Sequence, residues 1–300
     1  LDRLCRAASK LFCRARDPQR ARPLLLQAAR HGSPWALFCL GIMHDTGDGT
    51  PRSSRRAAQY YERSAALGYD SAQLNLGMMY LNGVGVHRST PKAISLFKQA
   101  ARQGNANALR NLGLACQKGR GMRKSRQTAL AWFRKAAAHG QEDALCEIGE
   151  FYENGWCVRK NLPRAAAYYR KAVRKGVVRA QYRLGMLLVH GNGVRKNIRA
   201  GMRHLLAAAH SGDCDAQCAV GYHVFYGEGC RRDTRAAREW YRRSARGGNE
   251  SALYNIGLMY RNGDGVRKNA ACARRHFERA AALGHRKSAR ALARMLHRHA

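Results

Sequence analysis

Apolar positions along this chain come in short runs at helical spacing, and the runs come in pairs. The stretch SAQLNLGMMYLN (71–82) carries its apolar residues at the spacing of one helix. Gly83-Val84-Gly85 breaks the pattern and predicts the end of that first helix. A second run follows. It opens at one of Asp17, Ser53, Ser89, Ser125, Asn161, Asn197, Asp233 or Asn269, all residues whose side-chain oxygens can accept from unpaired backbone N–H groups at a helix start. It closes at Gly32, Gly68, Gly104, Gly140, Gly176, Gly212, Gly248 or Gly284, as expected of glycine just past a helix end.

The pairs repeat every 36 residues without a slip. A glycine inside the first helix recurs at 41, 77, 113, 149, 185, 221 and 257. Loop glycines recur at 47, 83, 119, 155, 191, 227 and 263, and again two residues later, where Cys157 is the one substitute. Each second helix carries a pair of large residues such as Tyr60-Tyr61, Leu96-Phe97 or Trp132-Phe133. The first place admits His204 and His276, whereas the second is always aromatic or leucine, so the second is expected to be the more buried. A mid-helix glycine costs about 1 kcal/mol relative to alanine. Small residues also recur at Ala36, Ala72 and onward, and at Ala65, Ala101, Ala137, Ala209, Ala245 and Ala281, with Val173 as the larger variant. These slots would let two helices approach closely with the large rings packed around the contact. One buried ring contributes roughly 1.5–3 kcal/mol, which exceeds the cost of the glycine. A single repeat cannot cover its own apolar face, so neighbours must stack.

The motif Ala72…Leu76-Gly77…Tyr80…Gly83…Gly85-Val86…Ala100-Ala101…Gly104 resembles the Sel1-like repeat, a longer relative of the tetratricopeptide repeat. The likeness runs from about residue 17 to 286. It implies an all-α fold, a right-handed α-solenoid of about eight 36-residue helix-turn-helix repeats, used mainly as a scaffold or adaptor for other proteins. The tyrosine slot departs from the pattern at His44, Cys116, Leu188 and Val224. No linker interrupts the register, so residues 1–300 are expected to form a single solenoid domain. Residues 1–16 are expected to be a degenerate N-terminal cap helix, with Cys5 in the glycine slot. Residues 287–300 are expected to be a C-terminal cap helix, with Ala293 in it. The leucine start suggests that the true N-terminus is missing.

No run is apolar and long enough for a membrane span, and no secretory signal with a continuous apolar core is present. The opening LDRLCRAASKLFCRAR is rich in arginine, like a mitochondrial targeting helix, but its phase with the repeat favours an end cap. Some secreted members of the resembled family staple each repeat with a cysteine pair. The ten cysteines here fall mostly in different slots, which favours free thiols and a reducing, intracellular and cytoplasmic setting. Cys214, Cys218 and His223 do not have a usual zinc spacing, so no metal and no cofactor are expected.

The net charge is +36. The slot before each second-helix cap is always basic, from Arg16 and Arg52 onward. From the third full repeat the preceding slot is basic too, giving the pairs Arg123-Lys124, Arg159-Lys160, Arg195-Lys196, Arg231-Arg232 and Arg267-Lys268. These pairs would form an edge able to attract phosphates or an acidic partner, or one that only keeps the chain soluble. Cations beside a helix N-terminus oppose its dipole, so helix stabilisation does not explain them.

The acids are uneven as well. None occurs from 71 to 141 or from 154 to 212, and between those gaps lies EDALCEIGEFYE (142–153). Asp143, Glu147, Glu150 and Glu153 share one helix face. In related repeats the first helix lines the concave groove, and the same face elsewhere carries Asn75, Arg110, Asn111, Arg179, Arg183, Tyr254 and Asn255. The acids then either offer a pocket for a basic or amide-bearing segment, or are neutralised by Arg110 before them and Arg179 and Arg183 after them.

The expected function is a non-enzymatic, monomeric scaffold whose groove holds a segment of a protein or peptide partner, with the asparagine amides gripping its backbone. The alternative is non-specific binding of nucleic acid or an acidic partner along the basic edge. Catalysis is not expected. There is no nucleophile motif, and the Gly-x-Gly pairs end helices rather than opening them beneath a phosphate.

Overall fold

The computed structural model describes residues 1–14 and 17–296. Ala15 and Arg16 of the N-terminal segment, and the last four residues of the C-terminal one, lie outside the described residues. The fold is an all-α helical-repeat solenoid. The helices are α1 (Asp2–Ser9), α2 (Pro18–Arg30), α3 (Pro34–Thr46), α4 (Ser54–Ala66), α5 (Asp70–Asn82) and α6 (Thr90–Arg102). Then come α7 (Ala106–Lys118), α8 (Arg126–Ala138), α9 (Glu142–Asn154), α10 (Leu162–Arg174), α11 (Val178–His190) and α12 (Ile198–His210). The chain continues through α13 (Cys214–Tyr226), α14 (Thr234–Arg246), α15 (Glu250–Asn262), α16 (Ala270–Ala282) and α17 (Arg286–Leu296). A π-helical turn, Lys10–Arg14, extends α1. Odd-numbered helices from α3 are the first helices of repeats and even-numbered ones the second. Packing divides the chain into two compact units, Leu1–Ile148 and Gly149–Ala300.

The predicted starts and stops are present. Asp17, Ser53, Ser125, Asn161, Asn197, Asp233 and Asn269 each accept a backbone N–H three residues on. Ser89 occupies the same position without that bond. The second helices end in one motif throughout. After α2, Gly32 N–H donates to Ala29 O and Ser33 N–H reaches back to Ala28 O, both at 3.1 Å. Gly32 is left-handed, at φ +80°. This double closure satisfies carbonyls that the helix end would otherwise orphan. First helices stop differently: Gly83, left-handed at φ +71°, donates to Met79 O.

The mid-helix glycines face the large residues of the following helix. A Cβ on Gly77 would lie 2.6 Å from Phe97, one on Gly149 2.5 Å from Tyr169, and one on Gly257 2.5 Å from Phe277. The second place of each large pair is the deep one. Leu25, Tyr61, Phe97, Phe133, Tyr169, Leu205, Tyr241 and Phe277 are all buried, and the first-place residues are only half-buried. Even a methyl group at these glycines would push a buried ring aside, so alanine cannot fill the slot at no cost.

One small-residue column differs from the expectation. The slot of Ala65 and Ala101 lies at the flank, and Ala101, Ala137, Ala245 and Ala281 are only half-buried. The fully buried column is one residue earlier: Ala28, Ser64, Ala100, Ala136, Ala172, Ala208, Ser244 and Ala280. Helical geometry explains this. Ala57, Tyr61 and Ser64 are spaced four and three apart, so they share the stripe that packs. The two serines keep their hydroxyls satisfied there, Ser64 on Pro34 O and Ser244 on Cys214 O, both at 2.7 Å.

The second loop glycine column joins repeats. A Cβ on Gly85 would strike the Ser54 carbonyl, and one on Gly121 would meet Thr90. Both partners are the opening residues of the preceding repeat's second helix. Cys157, which stands in this column, takes the glycine's conformation at φ +56°. A side chain there costs roughly 1–2 kcal/mol of backbone strain. At the start of the chain, Leu4, Cys5, Leu11 and Phe12 pack against the cluster around Leu25, so α1 covers the apolar face of α2.

Candidate functional site

The first helices hold the groove residues singled out from the sequence, and the loops after them hold the basic pairs. The structure sorts them into two groups, those already engaged and those left with capacity.

Three carboxylates of α9 are engaged. Arg110 grips Glu147 with a two-nitrogen fork: Nη2 donates to Oε1 at 2.7 Å, and Nε lies 3.1 Å from both oxygens. Glu147 is 2% exposed, so it does not line a surface, which corrects its placement on the groove face from helical spacing. The fork draws it beneath Arg110, and a charge-assisted bidentate pair offsets the cost of its burial. Glu150 lies 3.7 Å from Arg179 and 3.5 Å from Arg183, with all three side chains more open. The Tyr169 hydroxyl donates to Glu153. Asp143 is half-buried at the start of the helix. The geometry is therefore that of mutual neutralisation between neighbouring repeats.

Two of the asparagines keep their capacity. Among the described residues, the Asn111 amide reaches the Met78 sulfur, at 3.5 Å, and the Asn255 amide the Cys218 sulfur, at 4.0 Å. Thioether and thiol sulfurs are weak acceptors, so both amides retain strong donors and a carbonyl for another molecule. Asn75 sits beside the Tyr61 hydroxyl. Tyr254 leans on Phe277 and His285, with ring centroids 5.6 and 4.7 Å away.

The same faces carry residues not singled out from the sequence. Met78, Tyr222 and Tyr226 are 37%, 43% and 57% exposed, and the two tyrosine rings lie 4.7 Å apart. A signal existed. The residue after each mid-helix glycine is Ile42, Met78, Leu114, Met186, Tyr222 or Leu258, with Glu150 as the exception. A column that stays apolar yet alternates with the buried positions marks a lining rather than a core.

All ten residues of the basic pairs, Arg123-Lys124, Arg159-Lys160, Arg195-Lys196, Arg231-Arg232 and Arg267-Lys268, are exposed. The second member of each has a packing role. Its Cβ seats over the loop glycine that ends the first helix, and a Cβ on Gly119 would lie 3.2 Å from that of Lys124. The same slot at Arg52 sends Nε to the Asp45 carbonyl, 2.9 Å away, in the last turn of α3. This corrects the expectation from the dipole. The slot lies near the end of one helix as well as the start of the next, and a cation at a helix C-terminus is favourable.

Burial pushes the Cys39 and Cys218 thiols up to about 12, so neither is a nucleophile at neutral pH. Among the described residues no group of three or more His, Cys, Asp or Glu side chains could hold a metal ion. His223, beside Cys218 in sequence, instead pairs through Nδ1 with Glu228 at 2.9 Å. No described helix is long and apolar enough to cross a membrane.

The Sel1 repeat family model matches eight times, over residues 12–33, 36–69, 70–105, 106–141, 142–177, 178–213, 214–249 and 250–285. A Sel1 repeat protein from Oxalobacter formigenes superposes with a TM-score of 0.76 at 27% identity, over 80% of this chain and 96% of its own. A protective antigen of uropathogenic Escherichia coli strains with an SLR fold superposes with a TM-score of 0.73 at 29% identity, over 94% of this chain and 61% of its own. The chain thus spans about three fifths of the Escherichia coli protein's length. No curated protein sequence matches it. Repeats of this class generally serve as non-enzymatic scaffolds for protein–protein interaction. Eight matches in one unbroken register, on helices that pack as the repeat requires, place this chain in the Sel1-repeat family.

Proposed function

We propose that the chain is a monomeric scaffold that holds segments of a protein partner against the exposed faces of the first helices within each compact unit. The supporting observation is the contrast between satisfied and unsatisfied polar groups on those faces. Glu147, Glu150 and Glu153 have internal partners, while among the described residues Asn111 and Asn255 meet sulfur. An amide offers a donor and an acceptor together, matching a peptide backbone without demanding one sequence. Tyr222, Tyr226, Tyr254 and Met78 supply apolar contact beside them. Arg110, Arg183, Glu147 and Glu150 hold the helices in place beneath this contact. Asn75 and Asp143 extend the polar lining.

Affinity purification from the native source, with nuclease and at raised salt, tests the reading. A stoichiometric protein should persist, and Asn111→Ala with Asn255→Ala should weaken it by about tenfold, as the loss of two backbone hydrogen bonds predicts. Loss of all bound material on nuclease treatment would remove the proposal.

A further inference from the structure

The second helices carry a cleft that none of the preceding features uses. It opens between α6 and α8, has a volume of about 590 Å³, and is floored by Leu109, Ala101 and the Trp132 ring. Its rim is Lys98, Arg102, Lys135 and His139. Every lining residue lies within the first compact unit.

The floor has a sequence cause. One repeat earlier, the slot of Leu109 is Gln73, whose Nε2 lies 3.3 Å from Ala65 O and whose Oε1 accepts from Gln103 at 3.0 Å. Gln217 makes the same closure on Ala209 O at 3.0 Å. These amides plug the seam between second helices with polar bonds. Leu109 and His139 replace Gln73 and Gln103 between α6 and α8, so no amide plug can form. Leu109 is 3% exposed at the bottom, and the His139 ring folds back, with Nδ1 donating to Lys135 O at 3.0 Å.

The rim has no counter-charge. None of Lys98, Arg102 or Lys135 has a carboxylate partner among the described residues, and no acid occurs between 71 and 141. The Lys135 ammonium stands over the Trp132 ring, 5.1 Å from its centroid. That face is therefore occupied and does not offer a free platform for a nucleobase.

We propose that this cleft is a second docking site, independent of the first-helix faces. It takes an acidic peptide segment of a partner protein, one aliphatic or aromatic side chain of which rests on Leu109 and Trp132. The flanking carboxylates pair with Lys98, Arg102 and Lys135. An apolar anchor in a desolvated seat with charges at its rim is how a peptide site combines affinity with speed of capture.

The test uses the full chain at cell-like salt and fluorescence anisotropy. The probes are a short labelled polyglutamate peptide with one central phenylalanine, the same peptide with central alanine, and a labelled oligothymidylate. The phenylalanine peptide should bind about tenfold or more tighter than the alanine peptide. Lys98→Glu with Arg102→Glu should weaken it by a similar factor, about tenfold. Leu109→Gln installs the residue native to the equivalent slot and should abolish the preference for phenylalanine while circular dichroism reports an intact fold. Lys160→Glu, on the loop edge, should leave binding unchanged. Equal affinity for the two peptides, equal weakening by Lys160→Glu, or displacement of the peptide by oligothymidylate at matched concentration would each overturn the proposal. So would no binding of either peptide.

Discussion

Glu147 and Glu150 are three residues apart on one helix, yet their surroundings are opposites. Glu147 is 3% exposed at its side chain and held by a bidentate fork from α7. Glu150 is 14% exposed and sits 3.5 and 3.7 Å from two arginines of α11 that are themselves over a third exposed. The first is a fixed strut whose removal strands Arg110. The second is a more open cluster without a fork, which salt can screen more readily. Charge pattern alone does not separate them. Depth and fork geometry do.

Four measurements can break or sharpen that contrast. Glu147→Ala should cost the most, about 3 kcal/mol, because it leaves a partly buried guanidinium without its partner. Glu150→Ala should cost under about 1 kcal/mol in the same urea titration. Equal losses would erase the distinction. A double-mutant cycle comes next. Arg110 with Glu147 should couple by about 2 kcal/mol at any salt, and Arg183 with Glu150 by about 0.5 kcal/mol, vanishing in molar salt.

His223 with Glu228 is an intermediate case, a buried ring facing an exposed carboxylate. Burial lowers the His223 pKa despite the pull of Glu228. The unfolded chain therefore binds this proton first, and stability is lost as pH falls below the ordinary histidine value of about 6.5. His223→Gln should flatten that loss in urea titrations between pH 7 and 5, and an unchanged slope would assign it elsewhere. Asn111→Ala and Asn255→Ala should have the smallest effect, within about 0.5 kcal/mol, since among the described residues the amides contact sulfur. A larger loss would mean that these amides hold the fold and are not kept for a partner.

The fold was legible because the repeat states each rule six to eight times. Gly77 opposite Phe97 and Ser53 as a cap need no tertiary knowledge once their columns are seen. The flank position of Ala101 was not legible, because one residue along a helix changes its direction by about 100° and the sequence shows small residues at both slots. The site was legible in its parts but not in its depth. Arg110, Arg179 and Arg183 were placed beside the α9 acids by register alone. The disappearance of Glu147 below the surface depends on how far a neighbouring arginine reaches over it. The packing role of Lys124 was hidden for a similar reason. Its charge is conspicuous in the sequence, whereas the contact that places it is made by its Cβ.

The second loop glycine of a repeat, where present, seats on the helix start of the repeat before it, and each helix glycine seats on the large residue twenty positions later, a ring everywhere but Leu205. Both contacts are counted along the chain, so a cassette of 36 residues could be excised or duplicated and every surviving partner would still find its mate. A deletion of one residue inside a helix would instead misalign the glycine and ring on either side of the cut. Length in this protein is thus adjustable by whole cassettes and rigid to anything smaller.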